Sequence, residues 1–136
     1  MTTLTGALDA NAIIGLAQGG VFDQLASLYA SLYVPQAVIR EVTGQGQGLA
    51  GDAELRGALG SWVTEAIPDP VRIQTFMVLR SAADREVLAV AQERGVDHIL
   101  SSDGQLAGHA RRHGLACLPT TLVVVLLKDH GLVSEV

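Results

Sequence analysis

Short apolar or β-branched segments alternate along this chain with longer segments of helical period. This alternation is typical of a parallel sheet covered by helices on both faces. We therefore expect a three-layer α/β fold with a central parallel sheet of about five strands. The expected strands are residues 4–8, 31–34, 62–66, 98–101 and 115–118. The expected helices are residues 12–17, 22–29, 35–42, 53–59, 71–79, 82–94, 105–113 and 121–130.

Length and composition favour one compact domain spanning residues 1–136. The chain has 136 residues, is 49% hydrophobic and carries a net charge of −5, which suits a sizeable core. Its start lacks a basic segment followed by an apolar one, and the longest apolar run, residues 122–127, is too short to cross a bilayer. We expect a soluble, cytoplasmic protein in which the single cysteine, Cys117, is a small core residue.

The segment TGQGQGLAG, residues 43–51, is the one low-complexity stretch of the chain. It has neither the Lys-Ser/Thr of a phosphate-binding loop nor the spacing of a dinucleotide-binding turn. We interpret it as a flexible surface loop.

The acidic charge balance argues against a protein that holds nucleic acid mainly by neutralising many phosphates. It is compatible with a metal-dependent nuclease, because such an enzyme needs a cluster of carboxylates and the cations meet the phosphate.

Two acids follow expected strands directly. Asp9 comes after residues 4–8, and Asp103 closes the strand segment HILSSD. Ligands of open α/β sheets gather at the carboxyl ends of strands, and a carboxylate there is costly unless it is paired or bound to a cation. The structural alternative is helix capping, by Asp9 or Asn11 near residue 12 and by Asp103 near Gln105.

Two further acids, Glu41 and Asp84, lie on expected helices and are individually ordinary. In the segment SAADREVLAVAQERG, Asp84 and Glu86 are two positions apart, so they face about 200° away from each other on a helix. Val87, Leu88 and Ala91 follow Asp84 at three, four and seven positions and mark the inward face. We expect Asp84 on the sheet side and Glu86 toward solvent or a rim arginine. The alternative for Asp84 is a capping box with Ser81, in which the Asp84 carboxylate bonds back to the Ser81 N–H.

Taken together, these motifs resemble the PIN-domain ribonucleases. The resemblance rests on the order of four motifs and runs from Leu4 to about Val133. The motifs are Asp9-Ala10-Asn11 after an apolar strand, Val34-Pro35 with Val38 and Glu41, Asp84 heading an Ala-rich helix that ends at Gly95, and Ser101-Ser102-Asp103 after an apolar strand. The closing segment GLACLPTTLVVVLLKDHGLV is similar to a PIN-like subgroup whose relatives include toxins of toxin–antitoxin pairs.

The resemblance implies a ribonuclease whose acids bind Mg²⁺ or Mn²⁺. The acids would be Asp9, Glu41, Asp84 and Asp103, with Asn11, Ser101 and Glu86 as supporting neighbours. Hard cations take oxygen ligands and can activate water for in-line displacement at a phosphodiester. The chain departs from the subgroup at Ala83-Asp84, where Gly-Glu is common, and at Gly104, where a second acid is frequent.

Of the basic residues, Arg40, Arg111 and Arg112 are the candidates for contact with RNA phosphates, since arginine suits bidentate contact. Solvated helix faces are the alternative for each. His109 and His113 are four apart but have no third ligand nearby in the sequence.

Two rival functions stay open. One is a phosphohydrolase or phosphoacceptor domain, which usually needs a second aspartate where Asn11 stands or a strand-end lysine, whereas the only lysine is Lys128. The other is a catalytically degenerate PIN-like module that binds RNA or a protein. The expected partners are an RNA substrate, a second copy of the chain in a homodimer and a small antitoxin, with no membrane.

Overall fold

A computed structural model of the chain describes residues 3–44 and 50–131. A five-stranded sheet lies at its centre, with every neighbouring pair of strands parallel. The strands are β1 (Thr5–Leu8), β2 (Ser31–Pro35), β3 (Val63–Ala66), β4 (His98–Leu100) and β5 (Cys117–Leu118). Their order is β3-β2-β1-β4-β5, so that β1 is central and β3 and β5 are the edges.

Helices flank this sheet. In the described residues they are α1 (Ala10–Gln18), α2 (Leu25–Leu28), α3 (Gln36–Thr43), α4 (Asp52–Ala58), α5 (Pro70–Gln74), α6 (Ala82–Arg94), α7 (Gly104–Arg112) and α8 (Thr120–Asp129). The expected parallel α/β fold is therefore confirmed.

Helix α6 is the main cover of the central strands, because it packs against β1, β2 and β4. Val87, Leu88 and Ala91 are each fully buried, as their spacing predicts. Ala89 and Val90 are buried as well, and α5 also packs against α6. Helix α3, which follows β2 directly, contacts α1, α4 and α6.

Most boundaries follow the sequence pattern, with four corrections. The helix expected over 71–79 ends at Gln74, because residues 75–80 form turns with i to i−3 hydrogen bonds. The segment 22–29 is split into a 3-10 turn, Phe22–Gln24, and the short helix α2. Strand β5 begins at Cys117 instead of residue 115. Pro35 is the N-cap of α3 and the last residue of β2, one position before the first turn.

Gly6 allows β1 and β4 to pair beneath a large aromatic ring. Gly6 is paired with His98, and a Cβ at Gly6 would lie 2.8 Å from Leu32 Cδ2 and 3.3 Å from Tyr29 Cε1. The buried Tyr29 crosses over this position, and its hydroxyl bonds with His98 Nδ1 at 2.9 Å. A glycine inside a strand is thus required here by the close approach of a neighbour.

The loop expected over residues 43–51 lies mostly outside the described residues, which omit 45–49, and so does the end of the closing segment after residue 131. No helix within 3–44 and 50–131 has both the length and the apolar character needed to cross a membrane.

Candidate active site

The first pair of acids lies where β1 and β4 end. Asp9 follows β1 and is the N-cap of α1, and its Oδ1 accepts the Ala12 N–H at 2.8 Å. Asp103 is the N-cap of α7, and its Oδ1 accepts the N–H groups of Gln105 and Leu106 at 2.8 and 3.2 Å. The capping interpretation is confirmed for both residues. A ligand role stays compatible with it, because a carboxylate has about four lone-pair sites.

Ser101 connects these two acids. Its buried hydroxyl donates to Asp9 Oδ2 through a short hydrogen bond and accepts the Asp103 N–H at 3.1 Å. A single side chain therefore orients the Asp9 carboxylate and holds the backbone from which Asp103 projects.

Asp84 is placed beside them by α6. Ser81 Oγ caps this helix and accepts the Asp84 N–H at 3.2 Å. The return bond of a capping box, from Ser81 N–H to the Asp84 carboxylate, is absent. Across the described residues, the half-buried Asp84 carboxylate has no hydrogen bond and no ion pair.

Electrostatics show that Asp84 shares its surroundings with the other acids. Burial is the largest cause of a rise in the pKa of Asp84 from 3.8 to about 6. The negative charges of Asp103, Asp9 and Glu41 account for the rest of this rise. Like charges at short range disfavour ionisation of each group, so Asp9, Glu41 and Asp103 lie within electrostatic reach of Asp84.

The pKa of Asp9 is also raised. Burial raises its pKa, while hydrogen bonds from Ser101 and the Ala12 N–H lower it. The charges of Asp103 and Glu41 raise it as well. Glu41 is itself exposed, near the end of α3, so its charge acts on Asp9 and Asp84 from the protein surface.

The donor set suits a hard divalent cation, because it consists of carboxylate oxygens whose mutual repulsion a cation would relieve. Three of the four acids keep oxygens without protein partners in the described part of the chain, namely Glu41, Asp84 and, through Oδ2, Asp103. In residues 3–44 and 50–131, no three His, Cys, Asp or Glu side chains are already grouped closely enough to hold a metal ion.

The supporting residues are less closely attached to this centre. Asn11 is exposed in the first turn of α1. Glu86 is half-buried rather than solvent-facing, forms no ion pair with an arginine of the described residues, and is not among the charges that act on Asp84. Asp84 and Glu86 are both half-buried, so the expected exposure of Glu86 was wrong. The opposite orientation of the two side chains stays a prediction.

The candidate RNA-binding arginines are all exposed. Arg40 precedes Glu41 on α3. Arg111 and Arg112 lie in the last turn of α7, about 12 Å along the helix axis from Asp103.

Cys117 is nearer to the site than its sequence context indicates. Its thiol donates to Ser101 O at 3.6 Å, because β5 pairs with β4 through Ile99 and Cys117. Burial, with the charge of Asp9 next in size, raises the pKa of this thiol to about 11, so it stays protonated at neutral pH. The signal that could have located it is the register of the two strands, which a single sequence does not reveal.

The chain belongs to the PIN-domain family, since a family model described as a PIN domain matches residues 7–136. The match covers the last two residues of β1, the other four strands and all four acids. No curated protein matches the chain significantly.

Solved structures share the fold at low sequence identity. PAE2754 from Pyrobaculum aerophilum is 18% identical with a TM-score of 0.65, over 94% of this chain and 99% of that one. A domain of a functionally unknown protein from Methanocaldococcus jannaschii is 21% identical with a TM-score of 0.59, over 85% and 90%. The Mycobacterium tuberculosis toxin VapC20, which cleaves the sarcin-ricin loop, is 15% identical with a TM-score of 0.58, over 76% and 94%.

Proposed function

We propose that this PIN-domain protein is a ribonuclease that depends on Mg²⁺ or Mn²⁺ and hydrolyses RNA phosphodiester bonds. The observation that carries the proposal is that Asp9 and Asp103 follow β1 and β4 and are joined through the Ser101 hydroxyl, with the Asp84 carboxylate close enough for their charges to act on it. Holding like charges together costs stability, and binding a cation is a function that offsets this cost. The similarity in fold to a toxin that cleaves RNA supports the choice of substrate.

In this proposal Asp9, Glu41, Asp84 and Asp103 hold the cation. A bound divalent ion supplies an activated water and stabilises charge on the phosphodiester. Ser101 keeps one Asp9 oxygen oriented by hydrogen bonding, and the caps of α1 and α7 fix the carboxylates of Asp9 and Asp103 relative to the sheet. No side-chain nucleophile takes part.

The decisive experiment combines cleavage with metal removal. The purified protein is expected to cleave single-stranded or structured RNA with Mg²⁺ or Mn²⁺ and to stop when EDTA is added. Asp9→Asn should abolish cleavage while circular dichroism shows an intact fold. Cleavage that survives both EDTA and Asp9→Asn would contradict the proposal.

The second candidate is a catalytically degenerate PIN-like module that binds RNA or a protein. It is favoured by the separation of the acids, because no three of them in the described ranges are grouped for a metal ion. Calorimetry with Mn²⁺ separates the two candidates. A nuclease should bind the ion stoichiometrically, whereas a degenerate module should bind it weakly or not at all.

The finer assignments belong to the same proposal. The protein acts in the cytoplasm as a homodimer and as the toxin of a toxin–antitoxin pair, and its antitoxin places an arginine or acidic tail across the acid cluster. Arg40, Arg111 and Arg112 contact RNA phosphates, and Asn11 and Glu86 support the acids. A neighbouring reading frame encoding a small protein that binds this chain and blocks cleavage would support the toxin assignment, and its absence would count against it.

A further inference from the structure

The segment before α6 is compact although it is neither helix nor strand. Phe76 and Leu79 are buried, at 2% and 4% exposure, whereas Val78 between them is 80% exposed. Tight turns connect them, with the Phe76 N–H bonded to Ile73 O and the Leu79 N–H to Phe76 O, each at 3.0 Å. The segment leads directly into Ser81, the N-cap of α6.

Arg85 joins this segment to the first turn of α6. Its Nε donates to Leu79 O at 2.6 Å and its Nη2 donates to Arg80 O at 3.1 Å. Its backbone N–H bonds to Ser81 O at 3.1 Å. The planar guanidinium presents several donors in a fixed geometry, which suits two successive carbonyl oxygens.

This arrangement determines what Arg85 does for its neighbour Asp84. The Asp84 carboxylate has no hydrogen bond of its own within the described residues. Its position therefore depends on where α6 begins and how its first turn is held. Because the Arg85 guanidinium is engaged by the two carbonyls, it forms no ion pair with Asp84, and the carboxylate stays available.

We infer that Arg85 is a positioning residue that holds the start of α6 so that Asp84 faces the other acids. This inference rests on the proposed function, since it concerns how the chain presents one ligand of the proposed cation. Residues that orient metal ligands typically change affinity by about 10- to 100-fold when they are removed.

The test is calorimetric titration of Mn²⁺ into the full chain and two variants, with thermal unfolding in EDTA measured in parallel. Arg85→Ala is expected to weaken Mn²⁺ binding about tenfold. Arg72→Ala is the matched control. Arg72 also ties α5 to α6, through Gln92 Oε1 at 3.0 Å, but eight positions beyond Asp84. The Arg72→Ala variant should lose some stability and keep its Mn²⁺ affinity within twofold of wild type.

Arg85→Lys provides the second readout, because one ammonium group cannot reproduce the two-carbonyl contact. It should recover stability toward wild type and still bind Mn²⁺ at least threefold more weakly. If Arg85→Ala does not fold, this variant decides. Wild-type Mn²⁺ affinity in the folded Arg85 variants would overturn the inference but not the proposed function. An equal loss of Mn²⁺ affinity in Arg72→Ala would do the same. A wild-type chain that binds no Mn²⁺ overturns the proposed function and the inference with it.

Discussion

At the scale of single residues, the four carboxylates differ in how they are held. Asp9 and Asp103 are tied to backbone N–H groups as helix caps, and Asp9 also accepts the Ser101 hydroxyl. Asp84 and Glu41 have no such bonds in the described ranges. Two acids therefore form a fixed part of the site, while the other two are restrained only by their helices.

Replacing Asp84 should stabilise the metal-free protein at neutral pH. Its pKa is higher in the folded protein, about 6, than its ordinary 3.8. The folded state thus binds the proton more tightly, and this group's contribution to stability falls as pH rises from about 4 to about 6. The difference between the two pKa values corresponds to roughly 3 kcal/mol without screening. Because Asp84 is only half-buried and solvent screens its charge, Asp84→Asn should raise the free energy of unfolding by about 1 kcal/mol at pH 7.5.

Urea denaturation in EDTA at pH 7.5 and pH 4 measures this effect, and the gain should shrink at the lower pH. Glu86→Gln, on the same helix, is the control and should change stability by less than about 0.5 kcal/mol. Asp84→Asn should also remove Mn²⁺ binding and RNA cleavage, whereas Glu86→Gln alters activity several-fold at most. The reverse ranking would show that Glu86 serves the site.

Removing the Ser101 hydroxyl should damage both the site and the fold. Ser101→Ala leaves the buried Asp9 Oδ2 and the Asp103 N–H without their partner. An unsatisfied buried group costs about 1–3 kcal/mol, and more when it is charged. Chemical denaturation should show that loss, and Mn²⁺ calorimetry should show weaker binding.

Ser102→Ala is the neighbouring control. Ser102 is exposed and bonds to Thr120 on α8, so its loss should cost less than about 1 kcal/mol and leave Mn²⁺ binding unchanged. Equal effects of the two substitutions would contradict the role of Ser101 as the connection between Asp9 and Asp103.

At the scale of elements, the parallel pairing of β1 with β4 brings Asp9 and Asp103 to the same end of the strands. This pairing depends on Gly6, over which the Tyr29 ring lies. A Cβ at Gly6 would require Leu32, the Tyr29 ring or the β4 backbone to shift, and a shift of β4 would move Asp103 relative to Asp9.

Gly6→Ala should therefore destabilise the protein by about 1–3 kcal/mol, the usual cost of overpacking a core. The new Cβ would lie 2.8 Å from Leu32 Cδ2 and 3.2 Å from the His98 carbonyl oxygen. Gly15→Ala on α1 is the control, because within the described residues no atom apart from the backbone of α1 lies within 4 Å of its added Cβ. It should stabilise the helix by about 0.5–1 kcal/mol. Thermal unfolding of both variants tests the contrast, which a stable Gly6→Ala protein would contradict.

At the scale of the whole molecule, the surface carries large apolar side chains. Ile67, Val71 and Val78 are 75–81% exposed, and Leu122 and Val125 of α8 are 41% and 47% exposed. Exposed apolar surface of this kind favours association of subunits.

Sedimentation equilibrium at micromolar concentration should therefore give twice the chain mass of 14.2 kDa. Raising the salt concentration should preserve the dimer, because apolar contacts are not screened by ions. A monomer at all concentrations would contradict the prediction.

The sequence alone determined those features that depend on neighbours along the chain. The alternation of segments predicted the parallel α/β fold, and the strand-end positions of Asp9 and Asp103 left helix capping open as the alternative to a ligand role. The spacing of Val87, Leu88 and Ala91 predicted the buried face of α6. These features are local, because capping and periodicity involve residues a few positions apart.

The tertiary structure alone decided the features that depend on contacts between distant segments. Phe76 and Leu79 are three apart, a spacing that a helix and a series of tight turns satisfy equally, so the sequence predicted a helix where the chain turns. The turns prevail where the Arg85 side chain bonds the carbonyls of Leu79 and Arg80. Likewise, the strand order and the rise in the pKa of Asp84 arise from packing between elements, and long-range packing has no signature in the spacing of nearby residues.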